Sequence, residues 1–489
     1  MLFGKENLVF DLPENEAPIR YLAECDVEMP DFKQYFGEKN LRQEKLNLPN
    51  LSQTQVARHY TNMSSRNFGN DNGPYLLGSC TMKYNPKFHE KMAGMPGFNN
   101  THPYQPAETV QGNLEMLYEL EQLLCDVCGM DAFTFQPAAG AHGELTGIML
   151  IKAYHEDHGD EQRNIMLIPD SAHGTNPASA AMAGFKVVEV ASQKNGQVDV
   201  EDLKKKVEKH REKLAGLMLT NPNTLGIFEE GVDEITTAVH EAGGLIYYDG
   251  ANINAILMQV RPGDMGFDVV HLNVHKSFST PHGGGGPGAG PVGVKECLVP
   301  YLPKPRVMKE GDQFKLVNDL PKSIGKVRAF SGSFLVLLKT YCYILANGAE
   351  GLKNVSEGAV ANANYIFRRI RDKFKVPYDN PVMHEFVISG DWQKEKGCST
   401  MDMAKRMIDY GMHPPTVYFP LIVHEAMMFE PTETETQESL DLVAETMLKI
   451  AEEVETNPEI VQSAPHHTPV SRPDEVKAAR EPVLKYPEN

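Results

Sequence analysis

The sequence is poor in several features, and each shortage excludes something. No run of about 18 uncharged apolar residues occurs, so no membrane-spanning helix is expected. The nearest approach, FLVLLKTYCYILANG (334–348), is too short and is interrupted by Lys339. Basic residues are outnumbered, with Lys+Arg 47 against Asp+Glu 66 and a formal net charge of −19. A dedicated nucleic-acid binder carries a basic domain or stripe, so that class is set aside. The seven cysteines (Cys25, Cys80, Cys125, Cys128, Cys297, Cys342 and Cys398) are odd in number and scattered. They suit a reducing cytoplasm better than a disulfide framework. Cys125 and Cys128 form a lone CxxC at the end of a helical pattern, without the second ligand pair that zinc requires. No metal site is expected. The opening MLFGKENLVFDLPENEAP has no long apolar core and gains acids early, unlike a signal or transit peptide.

What remains is a chain of 489 residues, 41% of them hydrophobic. That length suggests two to four domain-sized units at roughly 100–200 residues each, with enough apolar matter for a sizeable core. Residues 1–104 read as an N-terminal arm followed by a turn-rich binding segment. From 105 to 332 the pattern changes. QPAETVQGNLEMLYELEQLLCDVCG has helical spacing through Leu114, Leu117, Leu120, Leu123 and Leu124. NIMLIPD, FKVVEVA, AGLMLTN, GLIYYDG and VVHLNVH then read as buried strands separated by helical pieces. Such alternation predicts an α/β fold: a mostly parallel sheet covered by helices. Ligands in these sheets bind at the carboxyl ends of strands. Residues 333–462 read as linking helices, with a break within GAEGLKN (348–354), and a smaller α+β domain. Residues 463–489 form a Pro-rich tail.

Polar residues at strand ends are therefore the ones to inspect. The most informative run is DVVHLNVHKSFSTPHGGGG (268–286). A lysine at the mouth of a strand is partly desolvated, which favours the neutral amine that forms a Schiff base with an aldehyde cofactor. In a P-loop the lysine follows the glycines; here Lys276 precedes them. His271 and His275, if both lie on a strand, sit about 13 Å apart, too far for one metal. Asp249, 27 residues before Lys276, ends another apolar run in Tyr-Asp-Gly-Ala-Asn. It can hold a pyridine nitrogen protonated, with Ala251 leaving room for a flat ring. It can equally serve a ribose or Mg²⁺. FQPAAGAHGE (135–144) opens a helix with small residues, which suits either an anion seat or an ordinary cap. His173, in DSAHGTNP, can stack on a ring or be structural. In TNPNTLG (220–226) an amide can bond a phenolic oxygen, or Asn-Pro can simply turn the chain.

The order of these pieces, together with LLGSCTMKYNP (76–86) and MMFEPTETET (427–436), resembles fold-type I enzymes that use pyridoxal 5′-phosphate (PLP). Among them it closely resembles the P-protein family of the glycine cleavage system, over most of 50–489. The length and the place of the lysine resemble the lysine-bearing half of the two-subunit form. The resemblance implies that Lys276 holds PLP as a Schiff base and that Asp249 pairs with its ring nitrogen. It implies Ala251 on one ring face and His173 on the other. Ala139, Gly140 and Ala141 would seat the phosphate, with His275 in contact with it. Asn223, or else Asn221, would face the phenolic oxygen. The implied activity is decarboxylation of glycine, with transfer of the aminomethyl group to the lipoyl arm of the carrier H-protein. The implied partner is subunit 1, two copies of each, in the cytoplasm. Another fold-type I decarboxylase or desulfurase, or a non-catalytic scaffold subunit, are the competing readings.

Overall fold

Runs of Val, Ile and Leu too short for helices and flanked by turn residues form the centre of the molecule. In the computed structural model, which describes residues 8–15, 23, 25–44, 46–283 and 288–485, they make a seven-stranded sheet. Its strands are β1 (Ala132–Thr134), β2 (Ile165–Pro169), β3 (Lys186–Val190), β4 (Leu214–Leu219), β5 (Leu245–Gly250), β6 (Val269–Leu272) and β7 (Val292–Val294). The order is β1-β7-β6-β5-β4-β2-β3. The neighbours from β6 to β3 pair in parallel, while β7 pairs antiparallel with both β1 and β6. Every residue of β2, β4, β5 and β6 is buried, as expected when helices cover both faces of a parallel sheet.

Those helices are α1 (Gln111–Cys128), α2 (Gly140–Asp157), α3 (Thr175–Met182), α4 (Val200–His210) and α5 (Val232–Glu241). Leu114, Leu117, Leu120 and Leu124 form the buried stripe of α1, and Gly129 ends it at a φ of 69°. Asp199 caps α4 by accepting hydrogen bonds from the Glu201 and Asp202 N–H groups. α6 (Phe334–Ile370) is two helices joined at Gly348, whose φ of 59° and ψ of −175° interrupt it. This is where the break was expected.

The strand read through VVHLNVH stops earlier. β6 ends at Leu272, and His275 and Lys276 lie on a helical turn, Val274–Ser277. The Lys276 N–H donates to Asn273 O at 2.9 Å. Further on, β8 (Arg306–Glu310) and β9 (Gln313–Val317) make a hairpin. A smaller sheet follows, with β10 (Phe386–Ser389), β11 (Thr416–Val417) and β12 (Ala426–Phe429) in the order β10-β12-β11. The run TVYFPLIVHE does not make one strand. Pro420 lacks an N–H for the ladder, and the chain turns there with Leu421 88% exposed. α7 (Gln437–Thr456) closes this region, capped by the Thr436 hydroxyl.

The chain divides into two units: residues 1–72 with 467–489, and residues 73–466. In the first, Ser52 and Gln55 form a capping box on the helix Gln53–Ser64, and Asn15 exchanges hydrogen bonds with Asn50. The second holds all three sheets. No helix among the described residues is long and apolar enough to cross a membrane.

Candidate active site

Successive parallel strands release their chains at the same edge of the sheet, so the loops after β2, β4, β5 and β6 converge. They surround a cavity of about 220 Å³. Gly140, Ala141, His173, Asp249, Ala251 and Lys276 all line it. These are six of the nine residues singled out from the sequence.

Asp249 is the penultimate residue of β5 and is only 4% exposed. The Asn176 Nδ2 amide donates to its Oδ2 at 3.0 Å, and the Ala251 N–H donates to its Oδ1 at 3.1 Å. His271, its partner across the β5–β6 ladder, places Nε2 3.7 Å from Oδ1. The other nitrogen of that ring bonds the Tyr247 hydroxyl. Burial pushes the Asp249 carboxyl up. His271, Asn176, the Ala251 N–H and Lys276 outweigh it and hold the group below its ordinary range. The same Asn176 amide also donates to Glu144 Oε2 at 2.9 Å. Burial first, and then the charge of Asp249, push Glu144 up to about 7. One amide thus bridges an anionic carboxylate and a readily protonated one.

Lys276 Nζ makes no hydrogen bond or ion pair with any described residue. Its backbone, by contrast, is fixed on both sides. Beyond the turn, the Ile253 N–H donates to the Ser277 hydroxyl at 3.0 Å, and Lys83 Nζ donates to Ser277 O at 3.1 Å.

Opposite lies the start of α2. Its N-cap, Ala139, offers no side-chain acceptor, so the first-turn N–H groups have no helical partner and face an anion readily. Gly140 is required here, because a Cβ would fall 1.8 Å from Asn273 Oδ1. Ala139 itself is not on the cavity wall. His275 also stands off the wall, edge-on to the His282 ring at 4.6 Å. Burial, then His282 and Lys276, push its imidazole down to about 3, so it is a neutral ring. Of the glycine run, Gly284, Gly285 and Gly286 lie outside the described residues.

Asn223 differs from its expected role. Its Nδ2 donates to Gly196 O and to Glu229 Oε1, and its Oδ1 accepts from the Leu225 and Ile227 N–H groups. Both ends of the amide are spent on folding the loop, and Asn223 is absent from the cavity wall. The Asn-Pro turn needs this internal brace. Among the described residues, neither the buried Nδ2 of Asn221, the other candidate, nor the buried hydroxyl of Thr220 beside it has a partner.

The brace has a measurable signature. Burial pushes Glu229 from 4.5 up to about 7, against hydrogen bonds from the Val198 N–H and Asn223. A carboxyl raised by folding binds its proton more tightly folded than unfolded. Stability therefore falls as pH rises from about 4.5 through about 7. Glu229→Gln removes that slope. Its urea midpoint relative to the parent is expected to improve between about pH 5 and about pH 8, measured on the cofactor-free protein.

Among the wall residues not foreseen are His384 and Glu385, which lead into β10. Phe386 pairs with Phe429, so the next pair across the ladder is Glu385 and Glu430. Their carboxylates and His384 lie within 4.8 Å of one another. The signal in the sequence was a His-Glu pair opening the apolar run FVIS. The 76–81 loop packs on the same corner. Gly78 is needed there, since a Cβ would fall 2.4 Å from Met428 Cγ. Ser79 and Thr81 take the left-handed conformation, at φ 64° and 52°. Their N–H groups donate to Glu385 and Glu430, each at 2.9 Å. Strained backbone of this kind persists only where its surroundings fix it, and it gathers at functional sites.

Comparison with known proteins agrees with this geometry. Residues 38–310 match the family described as glycine cleavage system P-protein, and residues 355–469 match the glycine dehydrogenase C-terminal domain. A probable glycine dehydrogenase (decarboxylating) subunit 2 from Caldanaerobacter subterraneus subsp. tengcongensis is 57% identical over 99% of this chain and 100% of its own. One of the same name from Staphylococcus haemolyticus is 54% identical over 98% of this chain and 97% of its own. Among solved structures, an inhibitor-bound glycine decarboxylase (P-protein) superposes with a TM-score of 0.70 at 19% identity, over 86% of this chain and 94% of that one. The cysteine desulfurase of Thermococcus onnurineus gives 0.59 at 14%, over 80% and 96%. The structures establish the fold, which is that of fold-type I enzymes. The sequence matches span nearly the whole chain, and by them it belongs to the glycine cleavage system P-protein family.

Proposed function

We propose that this chain decarboxylates glycine with PLP and passes the remaining aminomethyl group to the lipoyl arm of a carrier H-protein. The observation that carries the reading is Lys276. Its amine is unpartnered among the described residues, and it projects into a cavity with Asp249 on one wall and the uncapped start of α2 on another. These residues suit the cofactor: an amine for the aldehyde, an anion for the ring nitrogen, and free amides beside Gly140 and Ala141 for the phosphate. The cofactor, when bound, supplies the electron sink for the pair left as CO₂ departs. The chain's own contribution is to hold a proton on the ring nitrogen through Asp249 and to pack the ring between His173 and Ala251.

A desulfurase would need a nucleophilic thiolate. Burial pushes the Cys80 thiol up, Lys276 only partly opposes this, and Glu430 adds to it. That thiol stays protonated, which favours the decarboxylase reading. The name "subunit 2" borne by the relatives fits a companion subunit. We assign subunit 1 and the lipoylated H-protein as partners, two copies of each subunit to a complex, in the cytoplasm. Within the chain we assign cofactor binding to residues 105–332, with residues 333–462 as linking helices and the small α+β domain.

The test is exchange of the glycine carboxyl with labelled bicarbonate, using the purified chain, subunit 1 and lipoylated carrier. Exchange that requires all three is expected; its absence in the complete mixture contradicts the reading. Asp249→Asn keeps the shape but removes the charge that holds the ring nitrogen protonated. Its exchange rate is expected to fall on the order of a hundredfold, the scale for losing one preorganised electrostatic partner. Borohydride labelling of Lys276 should persist.

A further inference from the structure

The cavity holds an element that the reading above leaves without work. His384 is 1% exposed, lines the cavity, and has no partner for either ring nitrogen among the described residues. A buried polar atom without a partner is costly, and the rare ones in native structures call for a reason. Folding is no reason here, since a phenyl ring would fill the same space without that cost. Next to it, Glu385 Oε2 accepts the Ser79 N–H at 2.9 Å, and Oε1 lies 3.8 Å from His384 Nε2, beyond a hydrogen bond.

The groups facing Glu385 are His384, Glu430, Lys276 and the Cys80 thiol. Glu430 is saturated differently. Its carboxylate accepts the Thr81 N–H, the Thr81 hydroxyl and the Asn252 amide. Two carboxylates this close, away from water, do not both ionise. Burial first, and Glu430 next, push Glu385 well above its ordinary range, so it is the one that keeps a proton. Burial also keeps the His384 ring neutral. The corner therefore presents two uncharged donors, an imidazole N–H and a carboxylic O–H. Among the described residues that line the cavity there is no arginine, and Lys276 is the one lysine.

Resting on the reading of a glycine decarboxylase, we propose that His384 and Glu385 form the subsite for the substrate carboxylate and hold it by neutral hydrogen bonds alone. The choice of donor has a chemical consequence. An ion pair with a guanidinium would stabilise the carboxylate in the ground state, and that stabilisation is lost as CO₂ leaves. Neutral donors position the group and cost less to abandon. When bound, the cofactor would supply the electron sink for the pair of the breaking C–C bond, while His384 and Glu385 hold the carboxylate and transfer no proton.

The test is a pair of titrations on the cofactor-loaded complex with subunit 1. Cofactor absorbance is followed as glycine, and separately methylamine, is added. His384→Phe fills the space and removes the donor. It is expected to weaken glycine about tenfold, the scale of one hydrogen bond to a charged group, and to leave methylamine unchanged. Glu385→Gln keeps a neutral donor and is expected to hold glycine within about threefold of the parent. Unchanged glycine binding in His384→Phe overturns the subsite, as does an equal loss for both amines. A large loss in Glu385→Gln overturns the neutral-acid part. If the parent complex responds to neither amine, the decarboxylase reading itself fails, and the subsite with it.

Discussion

Lys276→Ala is expected to reduce glycine–bicarbonate exchange on the order of a thousandfold or more, the scale seen when an enzyme loses its covalent nucleophile. Here no neighbouring group can substitute. Among the described cavity-lining residues Lys276 is the one lysine, and the other lysine close to it, Lys83, is held by Asn254, Ser277, Tyr343 and Glu433. The fold should survive the change. Lys276 Nζ bonds no described residue, and the turn around it is fixed through Asn273 O and the Ser277 hydroxyl. Unfolding curves that match the parent, together with lost exchange, are the expected pairing. An inactive protein with a shifted unfolding curve would instead mean that the lysine supports the structure.

Lys83→Met is expected to do the reverse, with its main cost in stability. The Lys83 side chain is fully buried, and its Nζ lies 2.9 Å from Glu433 Oε1. It also donates to Asn254 Oδ1 at 3.0 Å, Ser277 O at 3.1 Å and the Tyr343 hydroxyl at 3.3 Å. Burial alone would favour a neutral amine, but Glu433 and Tyr343 raise the group and keep it charged. Removing one partner of such a pair strands the other, at a cost of about 3–5 kcal/mol when both are dry. Glu433 retains 12% exposure, which places the expected loss near the low end, about 3 kcal/mol. The double change Lys83→Met with Glu433→Gln should recover part of it, because no charge is then stranded. Urea unfolding of the four proteins in this cycle reads the coupling. Additive losses would show that the ion pair is not what holds the loop at 76–86 onto the lysine turn. Since Lys83 bonds the carbonyl next to Lys276, the single variant should also retain cofactor less well.

Much of this was legible in the chain. Lys276 and Asp249 could be read because a strand-end position combined with a residue type of defined chemistry is rare. The sheet could be read because its strands are short apolar runs between helical stretches. The last residues of the β6 run were misread because Val274 continues the alternation of Val270 and Leu272, although Asn273 is a poor strand former. Whether the chain curls at Asn273 is decided by what Ser277 and Lys83 hold in place. Asn223 was assigned to the cofactor because an amide after a strand looks the same whether it faces a ligand or its own loop. Its partners, Gly196 and Glu229, come from different parts of the chain. His384 and Glu385 were missed for a similar reason. They reach the cavity from the small sheet, more than a hundred residues after Lys276. Only the ladder that pairs Phe386 with Phe429 sets Glu385 beside Glu430.

The most direct measurement is borohydride reduction of the PLP-supplied complex with subunit 1, followed by peptide mapping of the pyridoxyl group. A single label on Lys276 is the result this account predicts. No label, or a label on another lysine, would contradict it.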